Sequence, residues 1–320
     1  MNTWQVSGGP LKRDYAAVFI RYGVALIGPG DIGAWSAERA TLFEDDFVKR
    51  FVQELQVGDI LLLRSGISSI RAVGIVAGDY MYLPQFDDVN GWDLQHARRV
   101  RWFELPGSYD FGAAVFGASP ARFARINNPE IIEYAQAVVN SPPDSWKTAP
   151  LPALPMEDPT LENIPDNLGE LVAQVNDLAN LYLDTQRFGE LPAEDELLVH
   201  YIVPFLQALG WPVERIGIKW HYVDVTTFSA LPRVPGNVQF IIEAKRLGAG
   251  VEGALEQALR YVKELSIQRD VIVTDGIRYR LFAAEKGYAP TAYANLARLK
   301  LPALELFERM KRPMEKQGWT

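Results

Sequence analysis

The chain alternates between short apolar runs that end at glycine, aspartate or proline and longer stretches in which apolar residues recur at helical spacing. The short runs predict β-strands, and the longer stretches predict helices that bury one face. Strand patterns dominate the first 138 residues, and several short strands with a single helix are typical of a small β-barrel. The predicted strands cover 16–28, 59–66, 70–82 and 98–105, and the predicted helix covers 36–55.

From residue 167 onward, helical and strand patterns alternate, which favours an α/β fold. The helical spacing is clear in "PAEDELLVHYIVPFLQAL", which stops at Gly210. The tail from 291 to 316 is predicted to be a further helix. The other predicted helices cover 167–187, 192–209 and 250–265, and the predicted strands cover 222–228, 238–243, 270–274 and 277–283.

Between these two blocks lies a proline-rich stretch, "VNSPPDSWKTAPLPALPMEDPTLENIP". Prolines at this density exclude a long helix or a central strand, so the stretch is predicted to be a semi-rigid linker. The predicted organisation is therefore a domain over 1–138, a linker over 139–166 and a second domain over 167–320.

Composition narrows the classes of function. The 320 residues are 48% hydrophobic and 22% charged, as in ordinary globular proteins. No apolar run reaches the 18 residues of a membrane span, and the N-terminus lacks the apolar core of a secretory signal. Cysteine is absent, which excludes disulfides and thiolate metal sites and suits a cytoplasmic location. The net charge of −8 argues against non-specific coating of nucleic acid, but it is compatible with a nuclease that has a local basic groove.

The stretch "VQFIIEAKRLGAG" carries the candidate chemistry, because an apolar strand runs directly into Glu243 and Lys245. Residues two apart point to the same side of a strand, and burying either charge is costly unless it is paired or holds a metal. Upstream, Asp224 lies in another strand-type run, and a short loop between the two runs would bring it beside Glu243. These carboxylates, with the carbonyl oxygen of Ala244, predict a magnesium site. The alternative is a surface Glu-x-Lys pair and an aspartate in a turn.

The three histidines are too scattered for a histidine-based metal site, so any metal must rest mainly on carboxylate oxygens. His221 lies close to Asp224 in the sequence and is a candidate helper, although a solvated or structural role is the favoured interpretation.

Asp224 followed by Glu243-Ala244-Lys245 resembles the Asp…(Asp/Glu)-x-Lys signature of the PD-(D/E)XK nuclease superfamily. Gln257 and Tyr261 match the Gln-x-x-x-Tyr spacing of several of its branches. The helix at 192–209 is similar to the opening helix of nuclease domains in type I restriction R subunits, and "VIVTDGIRYRLF" is similar to the strand–turn–strand that closes that core. The resemblance covers about 190–285, with Val223 in place of the proline of the superfamily name.

This resemblance implies a restriction-endonuclease-like α/β sandwich that hydrolyses DNA phosphodiester bonds with Mg²⁺. The acidic residue of the opening helix would be Glu194 or Glu196. The implied metal ligands are Asp224 and Glu243, and the implied catalytic set is Asp224, Glu243, Lys245, Gln257 and Glu194.

In the first block, "GPGDIG" at 28–33 formally matches the Gly-x-Gly-x-x-Gly motif of dinucleotide-binding folds. Pro29 restricts the turn, Trp35-Ser36 indicate that the helix begins after the motif, and the next strand lacks an acidic residue at the right distance. We therefore interpret the motif as a glycine-rich loop.

The order of elements over 15–106 resembles PUA-like domains, particularly the EVE and YTH group. The similarity rests on "GVALIGPGDIGAW", a Gly-Asp turn in "LQVGDILLLRSG", the strand "IRAVGIVAGDYMY" and the closing strand "RRVRWFEL". It implies a small barrel that binds a flipped, modified base in an aromatic pocket, with arginines 98, 99 and 101 on phosphates. An equally reasonable interpretation places most of these aromatic residues in the barrel core. The candidate base-binding residues are Trp35, Tyr80, Tyr82, Trp92 and Trp102, with Asp31 or Asp79 reading a base edge.

A base-reading domain joined to a nuclease is the layout of modification-dependent restriction endonucleases. The expected partner is DNA that carries a modified base, and no membrane is expected. Cutting both strands requires two active sites, so we expect a homodimer or pairing on DNA. Two alternatives remain open. The first domain would sense a nucleotide or protein activator of a defence nuclease, or the protein would be a catalytically inactive DNA-binding protein with a nuclease fold.

Overall fold

A computed structural model describes residues 1–9, 14–43, 46–89, 93–161, 166–247, 249, 251 and 253–313. The chain divides into two compact units, Met1–Glu157 and Asp158–Thr320, and each contains a six-stranded sheet with helices. The architecture is therefore mixed α/β. Along the described residues, none of the helices combines the length and the apolar character needed to cross a bilayer.

The first unit is built on a curled sheet that forms half of a barrel. Its strand order is β2-β5-β4-β3-β1-β6, and only the β1–β3 pair is parallel. The long strands β4 and β5 curl because their pairing contains two register shifts. In chain order the elements are β1 (Thr3–Ser7), α1 (Ala16–Tyr22), β2 (Val24–Ile27), α2 (Asp46–Gln53), β3 (Ile60–Ser65), β4 (Ser69–Tyr82), β5 (His96–Asp110), β6 (Phe123–Arg125), α3 (Pro129–Asn140) and α4 (Asp144–Thr148), with 3₁₀ turns at Ala37–Leu42 and Pro84–Phe86.

The predicted strand at 16–28 is wrong in its first half. Residues 16–22 form α1, which buries Ala16 and Phe19 three positions apart and ends at Gly23 in the left-handed conformation (φ +58°). Only Val24–Ile27 continue as a strand. The predicted helix at 36–55 is split into a 3₁₀ turn and α2. Strands β1 and β6 have no counterpart in the sequence-based prediction.

Most of the proline-rich stretch, which the sequence predicts to be a semi-rigid linker, packs on the first unit. Helix α3 continues to Asn140, and Leu154 packs against the core of this unit. The indole N–H of Trp146 donates to the carbonyl of Trp102 at 2.9 Å. The division between the units falls after Glu157, inside the stretch predicted as a linker.

The second unit has a sheet in the order β12-β11-β10-β9-β8-β7, in which β9 and β10 are parallel and the other pairs antiparallel. A π-helical turn, Leu198–Ile202, joins α7 to α8. In chain order the elements are α5 (Asp166–Leu183), α6 (Thr185–Phe188), α7 (Glu194–Leu197), α8 (Val203–Ala208), β7 (Ile216–Trp220), β8 (Val223–Phe228), β9 (Val238–Ala244), α9 (Ala254–Glu264), β10 (Asp270–Thr274), β11 (Arg278–Ala283), β12 (Ala289–Asn295) and α10 (Ala303–Met310).

Both faces of this sheet are covered, so its central strands are apolar on both sides. On one face Ile241 packs with Ala254 and Ala258 of α9. On the other face Ile242 shares a core with residues of α5, α8 and α10. The predicted helix at 291–316 is wrong at its start, because residues 289–295 form β12, paired with β11, and the helix covers only Ala303–Met310.

Candidate active site

Strand register brings Asp224 and Glu243 together. In the antiparallel β8–β9 pair, Val225 lies opposite Ile242. One position further along, Asp224 comes beside Glu243, and alternation puts both side chains on one face of the sheet. That face is the one on which α9 packs. Both carboxylates are almost fully buried, at 5% and 1% exposure.

Asp224 has a partner on each carboxylate oxygen. Its Oδ2 accepts a hydrogen bond from the backbone N–H of Ala244 at 2.8 Å, which links the Asp224 side chain on β8 to the backbone of β9. Its Oδ1 accepts from the ammonium group of Lys219 at 2.7 Å. The side chain is therefore fixed in place by one backbone donor and one cation.

Glu243 is satisfied on one oxygen only. Its Oε1 accepts from Lys245 Nζ at 2.7 Å, whereas its Oε2 is buried with no hydrogen-bond partner among the described residues. Burial raises the pKa of Glu243 to about 7; the Lys245 hydrogen bond opposes this shift, and the charges of Asp224 and Glu194 add to it. A buried oxygen without a donor is the arrangement expected where a further ligand is to bind.

Two acidic residues at the start of α7 face the same lysines. Glu194 Oε1 lies 4.0 Å from Lys245 Nζ, and Asp195 Oδ1 lies 3.1 Å from Lys219 Nζ. Glu196, the alternative to Glu194 in the sequence analysis, instead accepts a hydrogen bond from the hydroxyl of Tyr182 at 3.4 Å. Glu194 is thus the member of that pair that reaches the site.

Gln257 and His221 have other surroundings. Gln257 is on α9, and its Nε2 donates to the hydroxyl of Tyr261 at 3.1 Å, so the Gln-x-x-x-Tyr pair is joined within the helix. His221 lies in the β7–β8 turn in a left-handed conformation, edge-on to Trp220 with ring centroids 4.3 Å apart. This position agrees with a structural role for His221.

The carboxylates suit a magnesium ion. Among the described residues no three His, Asp or Glu side chains converge closely enough to hold a metal by themselves. Mg²⁺ commonly takes one or two protein carboxylates and completes its octahedron with water and substrate phosphate oxygens. Asp224 and Glu243 supply two carboxylates, and the buried Oε2 of Glu243 is available, so the residues present fit this ion.

Lys219 is the site residue that the sequence analysis missed. It belongs to β7, where Ile218 pairs with Val225, so the next position in each strand sets Lys219 opposite Asp224. The available signal was the pair of strand-type runs on either side of His221-Tyr222, which form a tight hairpin and place a lysine opposite the aspartate. The spacing of the motif residues alone does not reveal this lysine, because its position depends on the hairpin register.

In the first unit, Trp35, Tyr80 and Tyr82 gather around the glycine-rich loop. The hydroxyl of Tyr80 accepts from the backbone N–H of Trp35 at 3.0 Å and is 2.8 Å from Nδ1 of His96. Nε2 of His96 is 2.9 Å from the carbonyl of Pro29. Since a carbonyl only accepts, Nε2 carries the proton, and the Tyr80 hydroxyl donates to Nδ1.

His96 is held neutral within this network. It is fully buried, and burial lowers the pKa of His96 to about 4, with the hydrogen bond to Pro29 acting in the opposite direction. Beside it, the hydroxyl of Tyr82 donates to the carbonyl of Gly30 at 2.7 Å. The indole N–H of Trp35 is buried and has no hydrogen-bond partner among the residues that the structure describes. These side chains hold the loop against β4 and β5.

The other candidate base-binding residues have different positions. Trp102 lies in the core, 8% exposed, and its indole N–H donates to the carbonyl of Val24 at 2.8 Å, so the expectation of a pocket wall is replaced by a packing role. Asp31 is half-buried on the same loop as Trp35. Asp79 is exposed. Trp92 lies outside the described residues.

The three arginines expected to contact phosphates donate instead to backbone carbonyls. Arg98, 4% exposed, donates to Val52 at 2.6 Å, at the end of α2. Arg99 and Arg101 donate to carbonyls of Pro152 and Ala149, which pins the segment after α4 to the sheet. Their guanidinium groups are engaged in holding the first unit together.

Residues 19–112, from within α1 to just beyond the end of β5, match a domain of unknown function (DUF8426). No curated protein matches the chain. A solved fragment from Vibrio vulnificus, described as an HsdR subunit of a type I restriction enzyme, is similar with 20% sequence identity over 38% of this chain. This chain spans 25% of that fragment, and a TM-score of 0.25 does not establish a common fold.

Proposed function

We propose that the protein is a magnesium-dependent DNA endonuclease whose second unit has a restriction-endonuclease-like fold. The observation that carries this proposal is the buried pair Asp224 and Glu243 on neighbouring strands. Lys245 is hydrogen-bonded to Glu243, and one Glu243 oxygen has no donor within the described part of the chain. Buried acidic residues of this kind are retained against a desolvation penalty, which favours a functional role over a surface pair.

Each residue of the site has a distinct task in this proposal. Asp224, Glu243 and the carbonyl of Ala244 would supply the oxygen ligands of Mg²⁺. The ion would polarise the scissile phosphate and lower the pKa of a bound water. Lys245 Nζ, held 2.7 Å from Glu243, donates hydrogen bonds that orient the attacking water and offset charge on the phosphate. Glu194, near Lys245, limits the directions in which that ammonium group points.

For the first unit we propose a PUA-like fold that reads a modified base. Support comes from the grouping of Trp35, Tyr80 and Tyr82 beside the glycine-rich loop. The indole donor of Trp35, which no described residue accepts from, adds to it. Flipping a base out of a duplex requires about a few kcal/mol, which stacking and hydrogen bonds to the base edge must offset. Two copies acting together would cut both strands.

The test uses matched plasmids that carry cytosine, 5-methylcytosine, 5-hydroxymethylcytosine or glucosylated 5-hydroxymethylcytosine, with Mg²⁺. Glu243→Gln and Lys245→Met keep the side-chain shapes and remove the charges. Glu256→Gln, on the exposed side of α9, is the matched control. We expect one modified substrate to be cut, and each site variant to lose about a hundredfold or more in rate while the control does not.

Other outcomes identify the failing part. Equal cutting of all plasmids would remove the base-reading role from the first unit and favour a nucleotide or protein activator. Cutting that persists in Glu243→Gln would refute the assigned site. Modification-dependent binding without any cutting would favour the inactive DNA-binding alternative.

A further inference from the structure

Two lysines of the candidate active site each lie between two acidic side chains, so that the four carboxylates form two Asp/Glu–Lys–Asp/Glu links. Lys245 lies between Glu243 at 2.7 Å and Glu194 at 4.0 Å. Lys219 lies between Asp224 at 2.7 Å and Asp195 at 3.1 Å. Each lysine therefore connects one strand carboxylate with one carboxylate at the start of α7. The first link contains the lysine of the Glu-x-Lys motif, and the second contains a lysine to which no role has yet been given.

Lys219 is held toward Asp224 by an unusual backbone. Its φ is +52° although it lies near the end of β7, and His221 and Tyr222 in the following turn have φ values of +49° and +69°. Non-glycine residues rarely adopt this left-handed region, and such strain persists where the surrounding structure imposes it. The turn thus directs a long cationic side chain at a carboxylate that is 5% exposed.

We propose that Lys219 is a positioning residue that competes with the divalent ion for Asp224. This inference rests on the proposed function of the site. The Lys219 ammonium group occupies one oxygen of Asp224, and that oxygen must be released, at least in part, when the carboxylate coordinates a metal. A divalent ion bound beside an ammonium group at this distance would meet strong repulsion unless the lysine moves.

Asp195 supplies the position to which Lys219 moves. The side chain of Asp195 is 76% exposed and that of Lys219 is 46% exposed, so the ammonium group can turn toward solvent and keep this one partner. Four carboxylates and two ammonium groups sum to two negative charges when all are ionised, which one divalent ion balances. When the site holds no metal, Lys219 keeps Asp224 in place. When the site binds a metal, Lys219 pairs with Asp195 alone.

This exchange predicts the sign of a mutational effect on metal affinity. Lys219→Met keeps the apolar stem and removes only the ammonium group. Since solvent screens part of the repulsion, we expect Lys219→Met to bind Mn²⁺ about tenfold more tightly than the natural protein. A lysine that merely supports Asp224 would give the opposite result, because its loss would disorder the ligand and weaken binding.

The experiment measures free Mn²⁺ by electron paramagnetic resonance in the 320-residue chain without DNA, with Mg²⁺ as competitor. Lys286→Ala, an exposed lysine on a surface turn, controls for the loss of one positive charge, and Asp224→Asn controls for binding at this site. Asp195→Asn should weaken binding in the natural protein, and its effect should shrink when combined with Lys219→Met, since the two residues are then uncoupled.

Tighter binding in Lys219→Met, with the stated coupling to Asp195, is the expected result. Equal or weaker binding in Lys219→Met overturns the exchange and leaves the proposed nuclease untouched, since the plasmid assay tests that separately. If neither protein binds Mn²⁺ above the Asp224→Asn background, both the exchange and the metal site are refuted.

Discussion

His96 shows how burial fixes the state of a single residue. It is fully enclosed, makes hydrogen bonds through both ring nitrogens and stays neutral in the folded protein. Protonating Nδ1 would remove the acceptor that Tyr80 uses and would place a charge where water cannot reach it. The imidazole therefore supports the loop around Gly30 only in its neutral form.

This state predicts acid sensitivity of the first unit. The pKa of His96 is 6.5 when unfolded and about 4 when folded, so the unfolded chain takes up a proton first as the pH falls. The stability from neutral His96 is fully present above pH 6.5 and is lost progressively between pH 6.5 and 4. The loss is about 1.4 kcal/mol per pH unit and about 3 kcal/mol in total.

Urea unfolding followed by tryptophan fluorescence at pH 7, 6 and 5 checks this prediction. His96→Gln is the reference, because glutamine retains a donor for the Pro29 carbonyl but does not titrate. The variant should be less stable at pH 7 and should lose less stability on acidification. Parallel losses in both proteins would show that other groups cause the acid sensitivity.

The candidate active site was predictable from sequence only where strand alternation or fixed spacing determines proximity. Glu243 and Lys245 share a face because they are two apart on a strand, and Asp224 follows once β8 and β9 are paired. Lys219 depends on hairpin register, and the role of His96 depends on packing among distant segments. Motif spacing therefore predicts neither the position of Lys219 nor the role of His96.

At the scale of elements, the glycine-rich loop at 28–33 shows why glycine is required at particular places. A Cβ on Gly28 would lie 1.9 Å from the carbonyl oxygen of Asp93, and one on Gly30 would lie 2.0 Å from Oε1 of Gln95. Glycine lets the loop lie directly against the segment that enters β5. Close packing therefore accounts for two of the three glycines that match the dinucleotide motif.

Gly28→Ala should accordingly destabilise the first unit strongly, by about 2–3 kcal/mol or more, because the contact is with backbone that cannot turn aside. Gly236→Ala is the control, since a Cβ there meets no atom within 4 Å and its φ is not left-handed. Thermal unfolding of both variants measures the difference. A Gly28→Ala protein as stable as the natural one would contradict the tight packing of this loop.

The sequence predicts correctly whether a segment is a helix or a strand where only one of its faces is buried. It predicts poorly where the apolar pattern is compatible with either a helix or a strand. The run at 16–22 is apolar on nearly every position, so only its burial of Ala16 and Phe19 and the stop at Gly23 mark it as a helix. Residues 289–295 form a strand because they pair with β11, and the local sequence alone does not reveal that partner. The contacts of the β5 arginines were likewise not predictable from local sequence, because their acceptors lie on segments distant in sequence.

At the scale of the whole molecule, each unit has hydrophobic cores of its own. Among the described residues, the buried clusters of the first unit contain residues up to 154, and those of the second unit contain residues from 161 onward. The candidate metal ligands and both lysines lie in the second unit, and the aromatic group around Gly30 lies in the first. The proposed reading and cutting functions therefore reside in parts that have separate cores.

This separation predicts that the two functions can be divided by cutting the chain between Glu157 and Asp158. Residues 158–320 alone should fold, bind Mn²⁺ with the affinity of the full chain, and cut DNA without preference for a modified base. Residues 1–157 alone should retain preferential binding to the modified duplex and cut nothing. Circular dichroism, Mn²⁺ titration and gel-shift assays on each piece give the three measurements, with Glu243→Gln in the 158–320 piece as the inactive control. If the 158–320 piece folds and binds metal but cuts only modified DNA, the base preference resides in the nuclease unit, and the role proposed for the aromatic group around Gly30 is wrong.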